Sequence, residues 1–247
     1  MGAHASSSSS SGFWDWVSAP VTKSFRDFSR LLFPETCPGC GQLDTMLCDR
    51  CRGIFLHPPT SVNSAISVGV KRVWTLSLYQ GQARGVVLAM KHSRSSYYQQ
   101  LPFFIGAVSG RGLAVYFSRP LLVCPAPSTF RLGKTPISST AGRLAAGITA
   151  GLNSQGVKAR LSGLLQLEPG AKKQAGRSFQ ERLRGRAGSM QLGAAADLDF
   201  SGEVLLVDDV ITTGATIREA VRVINEAQAE VKGVFSLSVA ERNLKRG

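Results

Sequence analysis

Two carboxylates and a set of hydroxyls stand together in the run Asp208-Asp209-Val210-Ile211-Thr212-Thr213-Gly214-Ala215-Thr216. Two adjacent acids are costly to bury unpaired, so they need an open crevice. Thr212, Thr213, Gly214, Ala215 and Thr216 would present backbone N–H groups and hydroxyls where a helix begins. Orphan donors and the helix dipole stabilise a dianionic phosphate at such a place. Gly214 permits the positive φ or close backbone approach that a phosphate cradle needs. Carboxylates beside the cradle can accept hydrogen bonds from sugar hydroxyls, so the two together describe a site for a phosphorylated sugar. The plainer alternative is a Thr-rich helix cap with both acids as solvated turn residues. Any one of these elements leaves the two readings open; all of them in this order favour the phosphate site. The run is not a P-loop, because it lacks the Gly-Lys-Ser/Thr ending.

A second group of reactive side chains lies near the start. Cys37-Pro38-Gly39-Cys40 and Cys48-Asp49-Arg50-Cys51 are two Cys-x-x-Cys pairs separated by seven residues. Each pair can chelate through a tight turn, and together they offer four thiolates to a tetrahedral Zn²⁺. Redox-active cysteines or a chance cluster are the alternatives. A closed four-thiolate site leaves no coordination position for catalysis, so the expected zinc is structural. The remaining cysteine, Cys124, reads as a small hydrophobe at a strand end. His57 and His92 are isolated from other candidates and read as surface residues.

The elements that must carry these groups follow from periodicity. Residues 204–207 are four consecutive apolar residues, the mark of a strand buried on both faces, and residues 216–228 read as the helix after it. Further strands are expected in residues 66–78, 121–124, 159–167 and 234–239, and helices in residues 85–91, 101–108 and 139–152. Strands alternating with helices predict an α/β fold with a mainly parallel, Rossmann-like sheet covered on both faces. In open sheets of that kind, ligands bind at the carboxyl ends of the strands. The expected organisation is a disordered serine-rich tail over 1–12, an amphipathic helix over 13–34, a zinc knuckle over 35–57, and the α/β domain over 64–247. Residues 172–186 hold six basic residues and one acid, Glu181, and read as a mobile loop or a solvated helix.

Composition narrows the setting. The chain has 247 residues, 43% of them hydrophobic, and 29 Lys+Arg against 16 Asp+Glu give a formal charge of +13. This excludes a fully disordered chain and favours anionic partners, although net charge alone fixes no ligand. No apolar run reaches the roughly 20 residues a spanning helix needs. The N-terminus lacks the layout of a secretory signal, so a cytoplasmic protein without a membrane span is expected.

The run from Val207 to Thr216 resembles the ribosyl-diphosphate signature of type I phosphoribosyltransferases. The resemblance implies that Asp208 and Asp209 contact the ribose 2- and 3-hydroxyls and that Thr212 to Thr216 hold the 5-phosphate. It also implies a Mg²⁺ carried by the diphosphate with few protein ligands, in keeping with the preference of that ion for phosphate oxygens and water. With the knuckle ahead of it, the chain resembles the ComF-type competence proteins over nearly its whole length beyond the tail. Leu32-Phe33-Pro34, the set Tyr79, Gly81 and Arg84 followed by Met90-Lys91-His92, and Gln174 with Arg182 carry that likeness. Two places depart from the pattern. Gly185 stands where that family has Asn, and Phe130-Arg131-Leu132-Gly133-Lys134-Thr135-Pro136 replaces a basic run ending in Asn-Gln. In active transferases that second loop contacts diphosphate, so the resemblance implies phosphate binding more directly than turnover.

Two functions follow as expectations. In one, the chain binds phosphoribosyl diphosphate or a related phosphosugar and transfers the phosphoribosyl group, with Lys172, Lys173 and Arg177 in a stretch that could close over the site. In the other, it is a non-catalytic competence protein with a vestigial or sensory pocket. It would then bind single-stranded DNA and meet DNA-uptake and recombination proteins. Trp74, Tyr79, Tyr97 and Tyr98 could stack on bases, although core or ordinary surface is the plainer role for each. A purely structural zinc adaptor leaves the acid pair unexplained.

Overall fold

The structure is a computed structural model that describes residues 35–62, 70, 72–127, 138–167, 188–193 and 203–241. The expected tail and amphipathic helix over 1–34, the loop 130–136 with Arg131 and Lys134, and the basic stretch 172–186 lie outside the described residues, as do 66–69 and 71 of the first expected strand.

In chain order the elements are α1 (Asp49–Gly53), β1 (Thr60–Val62), β2 (Val73–Leu78), α2 (Gly81–His92), α3 (Ser96–Leu113), β3 (Leu121–Pro125) and α4 (Thr140–Asn153), then β4 (Ala159–Leu161), β5 (Leu165–Leu167), β6 (Met190–Leu192), β7 (Glu203–Ile211), α5 (Ala215–Glu226) and β8 (Glu230–Val239). Among the described residues the main sheet runs β1-β2-β8-β7-β3-β4. Only β1 is antiparallel to its neighbour; the other pairings are parallel. The fold is therefore mixed α/β with a mostly parallel central sheet, as the alternation of strands and helices predicts.

The central strand is β7, and its sequence explains why. Val204, Leu205, Leu206 and Val207 are all fully buried. Alternate residues enter two different cores: Leu205 and Val207 face α2, α3 and α4, while Val204 and Leu206 face α5 and the separate β5–β6 ribbon. Side chains buried this completely contribute about 1.5–3 kcal/mol each. Trp74 anchors the first core, and it fits because Gly233 on β8 has no side chain; a Cβ there would lie 2.3 Å from the indole ring.

Three expectations are corrected. Residues 159–167 form two strands rather than one: β4 extends the main sheet, and β5 turns away to pair with β6. Ser162 still donates to Val123 O at 3.0 Å, and past it the chain leaves the sheet edge. His57, expected as an isolated surface residue, is half-buried and anchored just ahead of β1, with Nε2 2.8 Å from Leu76 O and Nδ1 2.8 Å from Pro58 O. The strand expected at 204–207 continues to Ile211, so both acids lie within it and not after it.

Candidate functional site

The site lies at the carboxyl end of the central strand. Successive strand residues point to opposite faces, so Asp208 and Asp209 leave β7 on different sides. Asp209 turns toward α2, where its Oδ1 accepts from Lys91 Nζ at 2.9 Å; the two side chains are 18% and 28% exposed. Asp208 Oδ1 accepts the backbone N–H of Asp209 at 2.8 Å. Across the ladder Asp208 pairs with Ser236, which pairs in turn with Thr75. Here the sheet carries a row of hydroxyls, buried at Thr75, Ser236 and Ser238 and half-buried at Ser77: Ser236 Oγ lies 3.5 Å from Thr75 Oγ1, and Ser77 Oγ lies 2.6 Å from Ser238 Oγ.

After Ile211 the chain turns through Thr212, Thr213 and Gly214 into α5. Gly214 takes φ +71°, the left-handed region where a side chain is strained, and stands at the N-cap position. The turn is tied internally. Ala215 N–H donates to Thr213 Oγ1 at 3.3 Å, Arg218 N–H donates to Gly214 O at 2.8 Å, and Arg218 Nη2 donates to Thr213 O at 3.1 Å. Thr212 is exposed, Thr213 and Thr216 are half-buried, and Gly214 and Ala215 are buried. The turn thus places hydroxyls and a guanidinium beside a helix start, an arrangement that can hold an anion.

Lys91, Arg218 and the serines of β8 are site neighbours that sequence reasoning passed over. The signals were present: a lysine in the last turn of a helix, and Ser236 and Ser238 alternating with apolar residues in the second half of a strand. Lys172, Lys173 and Arg177 lie outside the described residues. Of the aromatic residues considered for base stacking, Trp74 is fully buried and Tyr98 is buried with its hydroxyl donating to Met46 O, so neither offers a face to a base; Tyr97 is exposed and Tyr79 half-buried. Burial pushes the Cys124 thiol up to about 12 against the N–H groups of Leu165 and Leu164, which keeps it protonated and unreactive.

The four clustered cysteines meet. The Sγ atoms of Cys37, Cys40, Cys48 and Cys51 all lie within 4.8 Å of one another. Cys37 and Cys48 sulfurs are 3.7 Å apart, and those of Cys40 and Cys48 are 3.6 Å apart. Four thiolates about 2.3 Å from a tetrahedral Zn²⁺ would be separated by about 3.8 Å, so the spacing fits. Gly39 is required for the approach, since a Cβ there would lie 2.6 Å from Cys51 Sγ. Burial raises the Cys37 thiol, but the N–H groups of Cys48, Cys40 and Gly39 and the Cys51 side chain outweigh it and bring the thiol down to about 6; burial and the neighbouring sulfurs push Cys51 up. Metal-free thiols packed this closely cannot all ionise, and a divalent cation removes that conflict. The four are positioned to bind a metal ion and are compatible with structural zinc.

No family model matches the chain. Local similarity to characterised enzymes is nevertheless clear. The chain is 61% identical over 36 residues to orotate phosphoribosyltransferase of Actinobacillus pleuropneumoniae, a stretch covering 15% of this chain and 17% of that protein. It is 45% identical over 43 residues to orotate phosphoribosyltransferase of Pseudomonas putida, covering 17% of this chain and 20% of that protein. These matches support the phosphoribosyltransferase superfamily, with which the mostly parallel α/β sheet is consistent. The matched stretches span a fifth or less of those relatives. Among the described residues, no helix is long and apolar enough to cross a membrane.

Proposed function

We infer that the chain binds a ligand carrying ribose 5-phosphate, with phosphoribosyl diphosphate the foremost candidate, and acts as a phosphoribosyltransferase in the cytoplasm. One observation carries the reading: an acid pair on the central buried strand runs directly into a left-handed glycine and a helix start. In this reading Thr212 to Thr216 hold the 5-phosphate, and Asp208 and Asp209 accept the ribose hydroxyls. Transfer breaks the anomeric C–O bond, and the electron pair leaves on diphosphate while the nucleophilic nitrogen of an acceptor takes the anomeric carbon. Negative charge grows on the leaving group, and fixed cations stabilise it more in a water-poor cleft than in bulk solvent. Mg²⁺, riding on the diphosphate, would supply part of that charge; Asp209 is already held by Lys91, which fits an ion bound chiefly through ligand oxygens. The cysteine cluster holds Zn²⁺ as a structural clamp. The knuckle-then-transferase order supports a ComF-type role in competence and DNA uptake. The single-stranded DNA reading keeps the basic charge but loses Trp74 and Tyr98 as stacking faces.

Calorimetry with phosphoribosyl diphosphate and Mg²⁺ tests the reading. Wild type should bind, and the Asp208→Asn/Asp209→Asn double variant should lose at least about tenfold in affinity, as charge-assisted hydrogen bonds are weakened. Equal binding by the double variant would overturn the assignment. Diphosphate release in the presence of common nucleobases then identifies the acceptor.

A further inference from the structure

We propose that Lys91 is a positioning residue for this site, the built-in counter-charge that makes an acid pair hospitable to an anionic phosphosugar. The proposal rests on the phosphosugar reading above.

The geometry begins with α2. Its last turn carries Lys91 and His92, with Arg94 just beyond, yet only Lys91 turns inward; His92 and Arg94 are exposed. The helix end is pinned. Met90 is buried, its carbonyl accepts from Thr140 Oγ1 of α4 at 3.5 Å, and Ser93 N–H closes the helix on Ala89 O at 2.9 Å. A cation in the last turn is also favoured by the helix dipole. Lys91 Nζ therefore reaches Asp209 at 2.9 Å from a fixed base, and both groups keep partial access to solvent.

The electrostatic consequence is specific. Two adjacent carboxylates place two negative charges where the proposed ligand brings its own. Lys91 cancels one of them at contact distance and holds the Asp209 carboxylate in one orientation, leaving its other oxygen for a sugar hydroxyl. Removing Lys91 both repels the phosphosugar and frees Asp209 to rotate. A group that acts in this way shows a loss that depends on salt, because screening weakens the repulsion it normally cancels. It also shows rescue by arginine, which keeps the charge.

The test is titration of the full-length protein with ribose 5-phosphate across a salt series, using wild type, Lys91→Met, Lys91→Gln and Lys91→Arg. At low salt the Met and Gln variants should bind about tenfold or more weakly, the gap should narrow as salt rises, and the Arg variant should stay within about threefold of wild type. Two neutral replacements are used so that misfolding of one, judged by circular dichroism, leaves the other to decide. Wild-type affinity in a folded neutral variant, while Asp208→Asn/Asp209→Asn loses binding, would overturn the role of Lys91 and leave the site intact. A loss independent of salt and not rescued by arginine would show a purely structural lysine and overturn it equally. If wild type itself does not bind, or the double acid variant binds as well as wild type, the site reading fails first.

Discussion

Glu219 is 4% exposed on α5, and Arg222, one helical turn on, donates to its carboxylate at 2.8 and 3.0 Å. Burial alone would raise its carboxyl. The Arg222 hydrogen bonds and charge, with the N–H groups of Met190 and Gly188, outweigh burial and hold it below the ordinary value of 4.5. The folded state then binds this proton less readily than the unfolded chain does. Its contribution to stability is complete above about pH 4.5 and is lost as pH falls through the lower, folded value. Glu219→Gln should cost about 1–2 kcal/mol at neutral pH, a figure tempered by the solvent exposure of Arg222. Urea titrations of both proteins should show the gap closing as the pH falls below 4.5. A constant gap across that range would assign the effect to packing. The contacts also join α5, which opens at the candidate phosphate turn, to the chain around β6.

At the scale of elements, the tightest contact is between α3 and α4. Gly106 and Gly110 on one helix face Gly147 and Gly151 on the other, and a Cβ at any of the four would lie 2.0–2.3 Å from a backbone carbonyl oxygen across the interface. Spacing by four residues places each pair on one helix face, so the backbones approach without intervening side chains. Gly147→Ala, whose Cβ would lie 2.0 Å from Phe103 O, should destabilise by about 1–3 kcal/mol or more in chemical denaturation. Gly53→Ala, with nothing within 4 Å of its added carbon, is the control and should change little. At the start of α4, Thr140 Oγ1 donates to Met90 O at the α2 end that bears Lys91. A weakened α3–α4 contact should therefore also loosen the site.

For the whole molecule, the cysteine knuckle is part of the domain rather than an appendage. Cys37, Leu47, Cys48, Cys51 and Phe55 share one core with α2, α3, α4 and the sheet. Gly85 of α2 lies so close that a Cβ would stand 2.0 Å from Pro38 O. Because the knuckle packs on α2 at Gly85 and the same helix carries Lys91 in its last turn, metal loss should reach the site. Stripping zinc from the loaded protein with a strong chelator should lower Tm by at least about 5 °C in scanning calorimetry. An unchanged Tm with metal removal verified by mass spectrometry would count against a structural ion.

The sequence by itself determined the local pieces. Apolar runs located the central strand, helical spacing located α2, α4 and α5, and paired cysteines defined a chelating group, because each signal depends on neighbours a few residues away. It also indicated a glycine for the turn at 214, since only a residue without Cβ takes φ +71° without strain. The helix expected over residues 101–108 runs instead from Ser96 to Leu113, with Pro102 inside its first two turns. What only the tertiary structure decided were relations between distant segments: the strand order that flanks β7 with β3 and β8, the split of 159–167 between two sheets, the docking of the knuckle on Gly85, and the Lys91–Asp209 pair. Those depend on packing between segments well separated in the chain, where burial and charge act between groups that no local pattern brings together.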